Sequence, residues 1–239
     1  PALDLLNAVP ANASQRVLET AAGSFAGLYD LFRDNAAVQA KLASIANSRF
    51  APALKKLGFV QQQGESTVDS NLRSALIGVL GTMGNADVNA EATRLFAALD
   101  ENPAALDGPL RTTWLSLIAY NADRATWDKI RRLGQESTNN VVRSTMYALL
   151  GSAKDKDLAA EALNLALTDE PGKTTSAAII GRVSGEHPEM AVDFALAHEE
   201  AVLNLVDVSS RSEFIAQLAF GSDQAETVKK LENYAQTRL

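Results

Sequence analysis

The segment 198–202, which reads His-Glu-Glu-Ala-Val, comes closest to a zinc-binding helix. A zinc helix of the H-E-x-x-H type needs a second histidine four residues after the first, so that both imidazoles reach one ion from one face. Val202 occupies that place, and His187 is the only other histidine in the chain. We therefore expect no metal ligand in this chain, and we interpret His198 as a residue at a helix end.

Other catalytic motifs are incomplete. The segment 172–174, Gly-Lys-Thr, resembles the end of a phosphate-binding loop, which needs a glycine at position 167 and a preceding strand. Leu167 stands there, and 158–167 has a helical pattern. The chain has no cysteine, which excludes a cysteine nucleophile, disulfides and cysteine zinc sites. We assign no catalytic residue, and a hydrolase that uses His187 or His198 is a minor alternative because neither has a nucleophile or metal set.

Three arginines have equivalent positions in the sequence pattern. Arg73, Arg111 and Arg143 each directly follow the first apolar residue of a predicted helix. In a regular stack of helices, equivalent positions lie on one side of the array. One interpretation is a row of guanidinium groups that faces a concave surface and holds a peptide carboxylate, for which the planar fork is suited. The other interpretation is that each arginine forms an ion pair with a nearby Asp or Glu.

The charge balance excludes some partners. The formal net charge is -7, the isoelectric point is about 4.9, and Lys and Arg are not clustered. A phosphate-binding surface needs such clusters, so we expect neither nucleic acid nor an anionic membrane as a partner. No apolar run approaches the ~20 residues of a membrane span. We expect a soluble protein, cytoplasmic or exported, and the start at Pro1 suggests a piece of a longer chain.

The sequence predicts that these residues lie on helices. Apolar residues recur at i, i+4, i+7 and i+8, which places one apolar stripe on an α-helix. Such stripes begin at Leu72, Val88, Leu110, Val142 and Leu158. Alternating runs of β-branched and aromatic residues, which would indicate strands, are missing.

The stripes repeat at a fixed interval. Adding 32 to the stripe at Leu110 gives the stripe at Val142, whereas Leu72 and Leu110 are 38 apart, with extra residues around 100–107. Adding 32 to the stripe at Leu158 predicts a further stripe of Met190, Phe194 and Ala197. A repeat of this length is typical of a helical hairpin that must stack on its neighbours to bury its apolar face. The sequence therefore predicts an all-α protein, a superhelical stack of antiparallel helical hairpins (a HEAT/ARM-like α/α superhelix).

Helix ends can also be placed from the sequence. The first part reads as two longer helices, 14–33 and 36–57, followed by a polar loop, 58–66. Asn85 and the segment 121–123, Asn-Ala-Asp, precede predicted helices and can accept hydrogen bonds from amides of the first turn. No shift in composition marks a flexible linker, so we expect a single domain over 1–239.

Four passages resemble the C-terminal domain of M1-family zinc aminopeptidases, the aminopeptidase N group. They are 57–73 (Leu-Gly-Phe, then Gly-Glu-Ser and Leu-Arg), 120–127 (Tyr-Asn-Ala-Asp, then Thr-Trp), 185–198 (Gly-Glu-His-Pro-Glu-Met-Ala-Val-Asp-Phe-Ala-Leu-Ala-His) and 209–214 (Ser-Ser-Arg-Ser-Glu-Phe). The resemblance covers 14–239. Phe59 and Val192 stand where the family usually has Trp; both keep an apolar side chain and bear on packing.

The resemblance implies a function for the parent protein. Enzymes of this family remove N-terminal amino acids from peptides with one zinc ion, held by an H-E-x-x-H…E motif on another domain of the same polypeptide. This chain lacks that motif, so we expect a non-catalytic domain without a cofactor of its own. The resemblance implies that it walls the active-site chamber and limits or positions substrate, with the catalytic domain and peptide substrates as partners. The alternative is a free-standing helical-repeat scaffold that binds a protein partner.

Overall fold

The computed structural model describes residues 2–10 and 12–238, and every regular element in these ranges is helical. The absence of strands in the described part confirms the all-α prediction. The chain divides into two compact units, 1–118 and 119–239. No helix of the described residues has the length and apolar character that a bilayer span requires.

The first unit is organised around one apolar helix. Its helices are α1 (Ala2–Ala8), α2 (Gln15–Leu31), α3 (Ala36–Leu57), α4 (Thr67–Thr82), α5 (Ala86–Ala98) and the start of α6 (Arg111–Tyr120). Helix α4 packs against α2, α3 and α5, and its Leu76, Ile77 and Leu80 are fully buried. Phe25 of α2 and Phe50 of α3 meet edge to face, with ring centroids 5.5 Å apart. The fit of these side chains holds α2, α3 and α4 together.

The second unit contains the stacked hairpins. Its helices are the end of α6, α7 (Arg124–Glu136), α8 (Asn140–Leu150), α9 (Lys156–Ala166), α10 (Lys173–Glu186), α11 (Pro188–Ala197), α12 (Glu199–Leu203), α13 (Arg211–Gln217) and α14 (Ala225–Arg238), with a 3-10 turn at Val208–Ser210. Helix α8 packs against α10, and α9 packs against α11. In the hairpins α8–α9 and α10–α11, the two first helices therefore contact each other, and so do the two second helices. This is the arrangement that the repeat predicts.

Side-chain caps begin several helices where the sequence places them. Asn85 Oδ1 accepts from Val88 N at 3.0 Å, and Asp123 Oδ1 accepts from Thr126 N at 2.8 Å. Both bonds satisfy an amide that has no partner inside its helix. Ser14 precedes α2 at the predicted position, but its side chain forms no capping hydrogen bond.

The predicted apolar stripe of α11 is displaced around the helix. Ala197 is exposed, and Met190 and Phe194 are only half-buried. The residues that α11 buries are Pro188, Ala191, Val192 and Ala195. Helix α10 extends to Glu186, so that His187 alone separates it from α11. A displacement of one residue turns the apolar face by about 100°, since a helical turn takes 3.6 residues.

Candidate peptide-contact surfaces

Neither histidine belongs to a metal-binding arrangement. His198 lies between α11 and α12, as its interpretation as a helix-end residue predicts, and its ring packs on Phe194 with centroids 4.7 Å apart. His187 is buried, and its Nε2 lies 3.0 Å from the carbonyl oxygen of Ala153. Among the described residues, no group of three or more His, Asp or Glu side chains is placed to hold a metal ion.

The segment 172–174 is a turn followed by a helix. Gly172 has φ +82° and directly precedes α10, and the element before the turn is the helix α9 rather than a strand. The backbone thus lacks the strand–loop–helix context in which a phosphate-binding loop works. The interpretation of this segment as an ordinary helix start is confirmed.

Arg73 does not face an open surface. It is 1% exposed, its Nε donates to Gly58 O at 2.9 Å, and its Nη2 donates to Leu57 O at 3.0 Å. Its Nη1 forms an ion pair with Glu65, and this hydrogen bond is the main cause that lowers the pKa of the Glu65 carboxyl. Arg73 therefore fastens the loop 58–66 to α4. The idea of a row of accessible guanidinium groups has to be corrected for this residue.

Arg111 lines a groove in the first unit. Its Nη1 lies 2.6 Å from Asp107 Oδ1, and its side chain is 34% exposed. The groove has a volume of about 680 Å³ and runs between the loop 59–64 and the segment 105–111. Phe59 and Trp114, which also line it, meet edge to face with ring centroids 5.8 Å apart. The surface combines an aromatic wall with the guanidinium groups of Arg94 and Arg111, each of which is paired with a carboxylate.

Arg143 belongs to a polar cluster in the second unit, which we call the Glu170 cluster: Arg131, Gln135, Arg143, Tyr147 and Glu170. Arg131 donates hydrogen bonds to both oxygens of the Glu170 carboxylate: Nε to Oε1 at 2.9 Å and Nη2 to Oε2 at 2.6 Å. Gln135 Nε2 and the Tyr147 hydroxyl donate to Oε1 at 2.9 Å and 3.0 Å. Arg143 Nη2 donates to the backbone oxygen of Glu170 at 2.7 Å. The cluster joins α7, α8 and the turn between α9 and α10.

The charge of Glu170 is strongly stabilised. Hydrogen bonds from Arg131, and then from Gln135 and Tyr147, lower the pKa of the Glu170 carboxyl from 4.5 to about 2, although partial burial opposes this shift. Burial and the bond to Glu170 raise the pKa of Tyr147. The carboxylate is therefore ionised and the phenol neutral across the physiological pH range.

The three arginines thus have three different environments. Arg73 is buried in an ion pair, Arg111 is half-exposed in one, and Arg143 forms no ion pair within residues 2–10 and 12–238. The Glu170 cluster was not predictable from the sequence, because Arg131 and Glu170 are 39 positions apart. The only local signal was the turn 169–172, Asp-Glu-Pro-Gly, because its first two residues carry carboxylates that need a cationic partner or solvent.

Comparison with known proteins identifies the family. The sequence profile described as "ERAP1-like C-terminal domain" matches residues 1–238. The chain belongs to this family. The ERAP1-like C-terminal domain seen here is also similar to plant aminopeptidases, which confirms the resemblance to M1-family C-terminal domains.

The plant relatives are much longer than this domain. Aminopeptidase M1-B of Oryza sativa subsp. japonica is 31% identical over 144 residues, 58% of this chain and 16% of the relative. Aminopeptidase M1-C of the same organism is 25% identical over 193 residues, 78% of this chain and 22% of the relative. Aminopeptidase M1 of Arabidopsis thaliana is 27% identical over 147 residues, 59% of this chain and 17% of the relative. The matched region thus spans less than a quarter of each of these relatives.

Proposed function

We propose that this chain is the non-catalytic C-terminal domain of a zinc aminopeptidase that removes N-terminal amino acids from peptides. The match of an ERAP1-like C-terminal domain profile to residues 1–238 carries the proposal, and the name shared by the plant relatives supplies the activity. The zinc ion and its ligands belong to the catalytic domain of the same polypeptide. This domain walls the chamber in which the peptide is cleaved, and it limits or positions what enters.

We further propose that Arg111 and Arg143 are the groups through which the domain contacts peptides. Both side chains are partly accessible, and a guanidinium group forms two parallel hydrogen bonds with a carboxylate. Arg143 supports this role better than Arg111 does, because Asp107 already neutralises Arg111. Arg73 has no part in the proposal, since its guanidinium is buried.

The test compares two substrates in the intact polypeptide. Arg111→Ala and Arg143→Ala are each expected to raise KM for peptides by about tenfold, the effect of losing one charge-assisted hydrogen bond. If these arginines contact the part of a peptide away from the cleaved bond, as proposed, KM and kcat for an aminoacyl dye stay unchanged. Arg94→Ala is a suitable control, because Arg94 lines the same groove but is held by both oxygens of Glu91. Unchanged peptide kinetics in both test variants reject the contact role.

A further inference from the structure

We propose that Glu170 is a positioning residue that fixes the guanidinium group of Arg143 for peptide binding, and that Tyr147 transmits part of this effect. The inference rests on the proposed contact between Arg143 and peptide. It concerns a different residue, which lies on the turn between α9 and α10 and reaches the peptide only through Arg143.

The first support for Arg143 is a backbone oxygen. Arg143 Nη2 donates to the carbonyl oxygen of Glu170 at 2.7 Å. A carbonyl in a turn holds its place only if the turn itself is held, because turns have few contacts of their own. The carboxylate of Glu170 holds the turn in place, because it accepts two hydrogen bonds from Arg131 and one from Gln135. The side chain of Glu170 therefore fixes the acceptor that its own backbone presents to Arg143.

The second support is an aromatic ring. The guanidinium carbon of Arg143 lies 5.0 Å from the centroid of the Tyr147 ring, a distance typical of a cation–π contact. Tyr147 is fully buried, and its hydroxyl donates to Glu170 Oε1 at 3.0 Å. One carboxylate oxygen thus holds the far end of the ring on which Arg143 rests.

The charges in the cluster leave Arg143 available for a ligand. The Glu170 carboxylate is occupied by the fork of Arg131, whereas Arg143 contacts only the carbonyl oxygen of the same residue. Arg143 forms no ion pair with any carboxylate of the described residues. Arg131 and Arg143 therefore have separate roles. Arg131 holds the turn through the Glu170 carboxylate, whereas the turn holds Arg143 through a carbonyl oxygen and leaves its positive charge without a carboxylate partner among the described residues.

The experiment is a double-mutant cycle in the intact polypeptide, with a peptide and an aminoacyl dye as substrates. Glu170→Ala is expected to raise KM for the peptide by about three- to tenfold, and Glu170→Gln by less, since an amide keeps one acceptor for Tyr147. Tyr147→Phe removes only the hydroxyl from a packed ring and is expected to raise the peptide KM by about threefold. In all three variants kcat for the dye is unchanged. Asp193→Asn, which removes an exposed ion pair with Lys230, is the matched control for lost charge.

The outcomes separate this inference from the proposed function. If Glu170 acts through Arg143, then adding Glu170→Ala to Arg143→Ala causes no further rise in the peptide KM. If Arg143→Ala raises KM while Glu170→Ala and Tyr147→Phe do not, the positioning role is overturned and the peptide contact stands. If Arg143→Ala itself has no effect, both fail. If Glu170→Ala does not fold, Tyr147→Phe alone decides: an unchanged peptide KM overturns the inference.

Discussion

The Glu170 cluster makes a pH-dependent contribution to stability that one substitution removes. In Glu170→Gln the carboxylate becomes a neutral amide of the same shape, so Arg131 loses its charged partner while the packing of Tyr147 is kept. Because the pKa of Glu170 is depressed in the folded state, its contribution is fully present above the unfolded pKa of about 4.5. It is lost as the pH falls towards about 2, where the folded state also binds the proton.

The size of the effect follows from the pKa. A fall from 4.5 to about 2 corresponds to at most ~3.4 kcal/mol, at 1.36 kcal/mol for each pH unit. The side chain of Glu170 is 26% exposed and that of Arg131 is 32% exposed, so water screens part of this interaction. We therefore expect Glu170→Gln to lower the free energy of unfolding by about 1–2 kcal/mol at neutral pH.

Urea unfolding followed by tryptophan fluorescence measures this difference. The chain has two tryptophans, and Trp127 is fully buried in the unit that contains the cluster. The reference chain and the Glu170→Gln variant therefore both carry Trp114→Phe, so that the fluorescence of Trp127 alone reports unfolding. The destabilisation by Glu170→Gln is expected to shrink steadily from about pH 5 to about pH 3. A difference that is equally large at both pH values contradicts the electrostatic origin, and no difference at either value contradicts the cluster itself.

Two further predictions concern packing and the loop 58–66. Gly151→Ala places a methyl group against the carbonyl oxygen of Ile179 and is expected to lower the free energy of unfolding by about 1–3 kcal/mol. Gly181→Ala has open space around the new methyl group. It is expected to raise the free energy of unfolding by about 0.5–1 kcal/mol in the same urea titration. Arg73→Met releases the loop 58–66, so limited proteolysis within it is expected to be about tenfold faster, and an unchanged rate would contradict the fastening role of Arg73.

Local features of the fold were predictable because they depend on short-range physics. The apolar spacing and the capping side chains of Asn85 and Asp123 place helix starts within a residue or two. The two long helices were expected at 14–33 and 36–57 and lie at Gln15–Leu31 and Ala36–Leu57. In each case the deciding interactions are between residues at most one or two helical turns apart.

Features that depend on the approach of distant segments were not predictable. The stripe of α11 is displaced by one residue from its expected place, because the face that α11 buries depends on its contacts with α9, α10 and α13. Arg73, Arg111 and Arg143 look equivalent in the sequence, but only the folded chain shows that Arg73 is buried against Glu65. The partnership of Arg131 with Glu170 links two different hairpins, and no local pattern encodes it.

We propose that this chain shapes substrate access and supplies no catalytic group. The most direct test measures turnover of a fluorogenic aminoacyl substrate and bound zinc in the purified 239-residue chain, with the intact polypeptide as the positive control. We predict that the chain alone neither cleaves the substrate nor retains zinc after dialysis. Turnover that rises with bound zinc, disappears with a chelator and is lost in His187→Ala or His198→Ala would contradict it.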